Sequence, residues 1–464
     1  MPGFAPALAA IRFGLGRSPS HPDPVSAAAM LAALDAPDAL ARRFPIDGIA
    51  AMRPRVEAFR ALQKARSEGR ATPAEFNAWT QENNQTERLI WSASLGASFA
   101  RGIAAPDGFR DRLTLFWADH FATAGRGPLL QRRVDTYVDE AIRPHVAGRF
   151  GDLLKAAVLH PVMLAYLEQD ISIGPGSPAA AEGKGRKGLN ENLAREILEL
   201  HTLGVQGGYS QDDVRQMAEL LAGVTMTPML ETAYAPRRSE PGAEHVLDFA
   251  TPERPAGRMA EVHQALDYLA THPATAAHLA RKLAVHFVSD DPEPDLVAAM
   301  AARHRDTGGD LAAVYDTMLG HPGAWDPALV KVKRPVDFLI SALRAVDADP
   351  QAVAELARDE QKARFWLANP MEFMGQSWGA PAGPNGWPEE GAAWITANTL
   401  AVRMQWAFRV PAMPGVPKET QPVALARAAL GPYADDTLIF AAGASESRAQ
   451  GVGLVLVSPA FQRR

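Results

Sequence analysis

Apolar residues recur along this chain at the spacing of an α-helix, and this periodicity constrains the fold more than any other feature. In the stretch 109–122, one helix face collects Phe109, Leu113, Phe116, Trp117, His120 and Phe121. β-Branched runs are few, and alternating strand patterns with hairpin turns are rare. The sequence therefore predicts an all-α fold, a large multi-helix, bundle-like body with long irregular loops.

The same spacing recurs in three further stretches, 191–205, 212–223 and 273–288. Ser210 stands at the N-cap position of the second stretch, where its hydroxyl group can accept a backbone hydrogen bond. Pro273 suits the first turn of the third stretch. The backbone N–H groups of a first turn have no partner within the helix, so the N–H group that proline lacks is not missed there. Each stretch is therefore predicted to form a helix.

Three segments lack helical periodicity. Residues 171–189 are rich in Gly, Ala and Lys and are predicted to form a flexible surface loop. Residues 232–258 hold four prolines and mark a candidate sub-boundary within a single helical domain that spans 1–464. Residues 376–394 are predicted to form a packed loop, whose tryptophans either line a sugar or aromatic pocket or pin the loop: Trp378, Trp387 and Trp394.

Charge and cysteine content exclude several classes of protein. The chain has 47 Lys and Arg against 53 Asp and Glu, a net charge of −6, whereas nucleic-acid-binding proteins usually carry a basic surplus. It has no cysteine, which excludes disulfides, thiolate nucleophiles and zinc–thiolate sites. We find neither a secretory leader nor an apolar run of about 18 residues. We therefore expect a soluble, cytoplasmic protein with no membrane span and no nucleic-acid partner.

His120 is the principal candidate for a catalytic residue. A histidine that faces a bundle interior serves as a general acid or base, or as a metal ligand. The alternative is a structural histidine that bonds a carbonyl or carboxylate group between Trp117 and Phe121. Asp119 points about 100° away on the helix, so we expect it to cap the helix or to form an ion pair. Arg112 lies two turns earlier on the same side.

Glu196 and Glu199 are the predicted carboxylate partners of His120. With Asn192 they fall at i, i+4 and i+7 on one helix face, and inward-facing carboxylates of this kind build metal sites in bundles. The predicted catalytic residues are His120, Glu196 and Glu199. The predicted ligands of a divalent metal are His120, Glu191 and Glu196. The alternative is a salt-bridged helix in which Arg195 holds Glu191 and Glu199.

The sequence also indicates roles for three other histidines. His201 falls in the last turn of its helix, where it would interact with the carbonyl end, and Gly204 suits a left-handed cap. His278, Lys282 and His286 follow one another at intervals of four residues and therefore share one helix face. A role as buried ligands stays open for the two histidines.

Several sequence blocks are similar to those of a known bacterial family. The two longest are Phe116-Trp117-Ala118-Asp119-His120-Phe121 and the run from Asn190-Glu191-Asn192 to Leu203-Gly204-Val205. Others are Gly208-Tyr209-Ser210-Gln211, His272-Pro273-Ala274-Thr275-Ala276, Lys331-Val332-Lys333-Arg334-Pro335 and Gly386-Trp387-Pro388. Together they cover nearly the whole chain and resemble the family catalogued as domain of unknown function 1800. Because that family has no established activity, the resemblance implies membership of the family but does not indicate a reaction.

The chain also departs from the pattern of that family. Relatives often read Phe-Trp-His-Asn-His-Phe where this chain has Ala118 and Asp119, and often place a histidine where it has Ser239. The missing histidines weaken a metal role at those positions. Relatives often look exported and lie near genes for a second secreted family, whereas here Arg12-Phe13-Gly14 already resembles the start of the domain.

Three hypotheses for the function follow. The first is an enzyme that performs metal-assisted or acid–base hydrolysis, with its site between the helices at 109–122 and 190–205. The second is a non-enzymatic binding or assembly protein that presents 171–189 and 376–394 to a protein partner. The third is a haem-binding helical oxidoreductase, with His120 and His286 on opposite sides of the flat cofactor.

Overall fold

Helices dominate the computed structural model, which describes residues 3–183 and 188–464. The all-α prediction is confirmed. The helices of eight or more residues are α1 (Ala27–Asp35), α2 (Arg53–Ser67), α3 (Pro73–Ala104), α4 (Phe109–His120), α5 (Phe150–Val158), α6 (Gln211–Leu221), α7 (Met259–Thr271), α8 (Pro273–Phe287), α9 (Pro294–Asp306), α10 (Leu311–Gly320), α11 (Pro335–Ala345), α12 (Ala397–Arg409), α13 (Pro422–Leu430), α14 (Asp436–Gly443) and α15 (Arg448–Val457).

Shorter helical segments connect these helices. The short α-helices are Pro6–Leu8, Ala39–Arg43, Gly127–Leu130, Val134–Tyr137, Pro161–Tyr166, Pro178–Ala181, Asn192–Glu196, Pro350–Leu356, Glu360–Ala363 and Asn369–Phe373. The π-helical turns are Ala9–Phe13, Val138–Ile142, Ile197–His201 and Arg364–Ala368. The 3₁₀ turns are Ile49–Met52, Arg143–His145, Gln169–Ile171, Pro322–Trp325, Gly391–Ala393, Val410–Ala412 and Gly431–Tyr433.

Two small antiparallel hairpins lie between α6 and α7. Strand β1 (Val224–Met226) pairs with β2 (Thr232–Tyr234), and β3 (His245–Val246) pairs with β4 (Phe249–Ala250). Residues on both sides of 232–258 belong to the same hydrophobic core. The sub-boundary at 232–258 and the single-domain organisation stay predictions.

Local signals in the sequence place several helix ends. The hydroxyl group of Ser210 accepts from the backbone N–H of Asp213 at 3.2 Å, and the Asp213 carboxylate accepts in return from the N–H of Ser210 at 2.7 Å. Pro273 opens α8. Gly204 adopts a left-handed φ of +83°, as a cap requires. The helix predicted over 191–205 is instead a short α-helix that continues as a π-helical turn.

Two large hydrophobic cores, with a small third cluster around Phe44 and Ala100, hold the helices together. The first collects residues between Leu8 and Trp325, including the apolar face of α4. The second joins Leu15 and the C-terminal part of α3 to residues between Val336 and Phe461. Because α4 belongs to the first core and α11 to the second, the space between these two helices lies where the cores meet.

The loop predicted to be flexible over 171–189 includes residues 184–187, which lie outside the described residues. In its described part, the backbone N–H of Gly174 donates to the carbonyl oxygen of Arg238 at 2.8 Å. The flexibility of the loop stays a prediction. No helix within 3–183 and 188–464 is long and apolar enough to cross a lipid bilayer.

Candidate active site

A cavity of about 800 Å³ lies between the end of α4, one face of α8 and the loop 385–394. We call it the main cavity. Its wall is formed by Phe116, Asp119, His120, His278, Arg281, Lys282, Val285, Asp290, Gly375, Ala382, Asn385, Gly386, Trp387, Pro388, Glu389, Glu390, Ala393 and Trp394. Aromatic faces and ionisable groups share this wall, and the volume falls within the range of about 300–1,000 Å³ that small-molecule sites occupy.

The backbone carbonyl groups of Leu200 and His201 orient two imidazole rings of the main cavity. His120 Nε2 lies 3.1 Å from the carbonyl oxygen of His201, and His278 Nε2 lies 3.1 Å from that of Leu200. Because a carbonyl oxygen only accepts, each Nε2 carries the proton, and each neutral ring keeps its lone pair on Nδ1. The Nδ1 atom of His120 is buried and has no hydrogen-bond partner among the described residues. It is a buried, unpartnered proton acceptor on a side chain that lines the cavity.

The histidines around this turn are neutral at pH 7. Burial lowers the pKa of His120 well below its usual value, and the charge of Lys282 lowers it further. Burial and then Lys282 also lower the pKa of His278 to about 4 and that of His201 to about 3. Each ring is therefore uncharged in its resting state, with one nitrogen protonated and a lone pair on the other.

Lys282 is the cation whose charge acts on all three of these rings. It lies one turn beyond His278 on α8 and lines the main cavity. Its ammonium group forms no ion pair in the part of the chain that the structure describes. Burial lowers its pKa, whereas the negative charges of Asp119 and Glu389 raise it. Lys282 thus offers the cavity a positive charge that no single carboxylate neutralises.

Arg334 holds two carboxylates at the cavity wall. Its guanidinium group donates to Asp119 Oδ2 at 2.6 Å and to Glu389 Oε1 at 3.0 Å. Asp119 Oδ1 also accepts from the backbone N–H of Trp387 at 2.8 Å. Burial disfavours the charge of Arg334, but Glu389 and Asp119 raise its pKa above the usual value. This arrangement ties the end of α4 to the loop that carries Trp387.

Glu389 ties the same loop to α8. Its carboxylate lies 2.7 Å from His286 Nδ1 and 3.3 Å from Lys331 Nζ, and Lys331 also donates to Asp290 at 2.6 Å. Burial disfavours the charge of Glu389, but Arg334, His286 and Lys331 hold its pKa well below the usual value. Glu389 is therefore ionised; it accepts from Arg334 and Lys331 and positions the wall of the cavity.

A family model described as "Protein of unknown function (DUF1800)" matches residues 8–463. The chain belongs to this family. The DUF1800 match includes every residue of the main cavity, and its description names no activity. None of the curated proteins and none of the solved structures matches the chain.

The DUF1800 chain brings together some of the residues predicted from the sequence. His120, His278 and Lys282 line the main cavity, and so do two of the three tryptophans of the 376–394 loop. The third, Trp378, lies elsewhere and donates its indole N–H to Asp135 at 3.0 Å.

The predicted carboxylates lie outside the wall of the main cavity. Arg195 donates to Glu191 and to Glu199 at 3.2 Å each, which is the ladder of ion pairs expected from their spacing. Burial and then the charge of Glu199 raise the pKa of Glu196 to about 7. Over 3–183 and 188–464, no three His, Asp or Glu side chains are grouped so as to hold a metal ion. The catalytic roles of Glu196 and Glu199 and the metal set of His120, Glu191 and Glu196 stay predictions.

The ion pair expected for Asp119 is confirmed, with a partner that lies far along the chain. Asp119 pairs with Arg334, whereas Arg112 pairs with Asp337. Spacing along one helix could not show this, because Asp119 and Arg334 are 215 residues apart. The ring of His201 does not bond the last carbonyls of its helix, since both of its nitrogens are buried without a partner among the described residues. The backbone carbonyl of His201 makes the useful contact instead.

Sequence reasoning missed the cations and the carboxylate that support the cavity. Lys331 and Arg334 belong to a block of three cations within five residues, Lys331-Val332-Lys333-Arg334-Pro335, and Glu389 follows Gly386-Trp387-Pro388. Both blocks contributed to the DUF1800 resemblance, so charged residues within them were the available signal.

The haem hypothesis gains no support from the position of its two histidines. The ring of Phe116 packs against both, with its centroid 6.4 Å from that of His120 and 5.1 Å from that of His286. The Nδ1 atom of His286 is also engaged by Glu389.

Proposed function

We propose that the main cavity is the active site of an enzyme that hydrolyses a small molecule by acid–base catalysis, with His120 as the general base. The unpartnered Nδ1 atom of His120 is the observation that carries this proposal. Its lone pair is held in place because the opposite nitrogen donates to the carbonyl group of His201. Histidine is the side chain that most often transfers protons in enzyme reactions.

In the proposed reaction, His120 Nδ1 takes a proton from a water molecule while the water oxygen attacks the carbonyl carbon of the substrate. The bond from that carbon to the leaving group then breaks, and the imidazolium returns the proton to the leaving group. The hydrogen bond from Nε2 to the carbonyl of His201 strengthens while the ring is charged. The ammonium group of Lys282 stabilises the negative charge that develops on the carbonyl oxygen.

The position of the 376–394 loop favours this proposal over a partner-binding role. The second hypothesis presents this loop to another protein. In the structure its residues Trp387, Glu389 and Trp394 line the main cavity, and Trp394 is buried. The loop thus supplies part of the cavity wall. A protein partner stays a prediction.

A panel of chromogenic substrates tests the proposal, with p-nitrophenyl esters of short-, medium- and long-chain carboxylic acids as the three classes of probe. We expect p-nitrophenol release from at least one class at pH 7. We expect His120→Gln to lower kcat/KM by at least about 100-fold, the usual contribution of a general base. Glutamine suits this position because its amide nitrogen can replace Nε2 as the donor to His201, while it lacks a basic lone pair.

His263→Ala is the matched control, because His263 is an exposed histidine on α7 that lies outside the cavity. It should keep the activity of the unchanged protein. Absence of turnover across the panel by folded protein, or full activity in His120→Gln, would contradict the proposal. A loss in Glu196→Gln with full activity in His120→Gln would favour the carboxylate site predicted from the sequence.

A further inference from the structure

A second cavity, of about 140 Å³, lies beside the main cavity and shares Asp119 and Trp387 with it. We call it the apolar cavity. It lies where α3, α4 and α11 approach one another, and much of its wall is aliphatic, with Leu115, Val138 and Ile340 among its residues. An apolar protein cavity of about 150 Å³ is large enough to bind one benzene molecule. The size and the wall therefore suit a single ring or a branched alkyl group.

Two polar side chains of this wall are the candidates to bond a ligand. Thr123 is 2% exposed, and its Oγ1 atom is buried without a hydrogen-bond partner among the described residues. Asp135 is 6% exposed and accepts from the indole N–H of Trp378 at 3.0 Å and from the side chain of Ser98, but it forms no ion pair in the described chain. A buried polar atom without a partner costs free energy, so a ligand that bonds Thr123 Oγ1 would be favoured.

The other charges of the wall neutralise one another. Arg143 donates to Asp111 at 2.7 Å, and Arg101 pairs with Asp139. Burial raises the pKa of Asp135 to about 7, although Trp378 donates to its carboxylate. Asp135 is thus available as a donor or as an acceptor near neutral pH. A wall of this kind carries little net charge and favours a neutral ligand.

We propose that the apolar cavity binds a small neutral alcohol or phenol, with the hydrocarbon part against the aliphatic wall and the hydroxyl group on Thr123 and Asp135. A hydroxyl group both donates and accepts, so it can satisfy the two side chains at once. The proposal concerns binding alone and does not depend on hydrolysis in the main cavity.

Calorimetric titration of the full chain with benzene, phenol, benzoate and benzylammonium tests this assignment. We expect phenol to bind more tightly than benzene, and both charged compounds to bind at least about tenfold more weakly than phenol, since burying an unpaired charge is costly. Thr123→Val should weaken phenol binding about threefold to tenfold and leave benzene binding unchanged, as expected for one lost hydrogen bond. Thr317→Val, which removes a hydroxyl group on α10, should change neither.

Filling the cavity supplies the second arm of the test. Ala118 and Ala122 line the apolar cavity, and neither lines the main cavity. We expect Ala118→Leu and Ala122→Leu to abolish binding of both benzene and phenol in protein that circular dichroism shows to be folded. The proposal is overturned if neither compound binds to the unchanged protein, if both filled variants still bind them, or if a charged compound binds most tightly.

Discussion

Glu389 and His286 are 103 residues apart in the chain, and their side chains meet at 2.7 Å. This contact, together with the bonds that Arg334 and Lys331 make to the same carboxylate, fastens the loop of the main cavity to α8. The loop holds Trp387, so the position of one aromatic wall depends on this ionic cluster.

Glu389→Gln should therefore destabilise the fold. The change leaves the charges of Arg334 and Lys331 buried with fewer compensating partners, and we expect a loss of about 3 kcal/mol in the free energy of unfolding. Urea denaturation followed by circular dichroism measures it. Glu390→Gln changes the exposed neighbour and should stay within about 0.5 kcal/mol of the unchanged protein. Equal effects of the two substitutions would contradict the supporting role of Glu389.

Asp135 should make the stability depend on pH. Burial raises its folded-state pKa to about 7 from a usual value of 3.8, so the folded state holds a proton that the unfolded state has released. The contribution of this proton to the free energy of unfolding is complete below about pH 4 and is lost as the pH rises to about 7. The loss reaches up to about 4 kcal/mol for a pKa difference of about three units. Asp135→Asn removes this loss, since an amide does not ionise.

Urea denaturation at pH 4.5 and pH 7.5 tests that expectation. Asp135→Asn should be more stable than the unchanged protein by a margin that is larger at pH 7.5. Asp316→Asn, at an exposed position on α10, should show no such dependence. A margin that is equal at the two pH values would show that Asp135 ionises in the folded state as it does in the unfolded chain.

His120 should stay neutral at pH values where an ordinary histidine gains a proton. Burial lowers its pKa well below the usual value, and Lys282 lowers it further. In carbon-13 NMR of labelled histidine, we expect the His120 signal to remain in its neutral position at pH 5.5. Lys282→Met should raise the pKa of His120, and Arg281→Met, the adjacent cation, should move it less. A His120 midpoint near about 6.5 in the unchanged protein would contradict the described burial.

Gly204 should be intolerant of a side chain for two reasons. Its φ of +83° disfavours other residues, and a Cβ atom there would lie 2.8 Å from His278 Nδ1. Gly208 has a φ of +82°, and a Cβ atom there would meet nothing within 4 Å, so it isolates the backbone cost of about 1–2 kcal/mol. We expect Gly204→Ala to lose more stability than Gly208→Ala and to shift the NMR signal of His278. Equal losses of stability in the two variants would show that the His278 ring moves aside without a cost in free energy.

The helices could be predicted because their signals are local. The apolar face of α4, the cap at Ser210 and the proline at the start of α8 each depend on residues only a few positions apart. For the same reason His120 and the shared face of His278 and Lys282 were visible in the sequence. These signals say which face is buried and not what lies against it.

The cavity itself depends on contacts that no local pattern encodes. Arg334 reaches Asp119 across 215 residues, and helix packing alone decides that meeting. The π-helical turn Ile197–His201 was also hidden, because its apolar spacing resembles that of an ordinary helix. The carbonyl groups of this region orient His120 and His278, whereas the sequence directed attention to its glutamates.

The most direct test of the central claim compares kcat/KM of His120→Gln with that of the unchanged protein on the best chromogenic substrate. The account predicts a ratio of about 1:100 or lower at pH 7, with the fold intact by circular dichroism. A ratio near one would show that the free Nδ1 atom of His120 takes no part in catalysis.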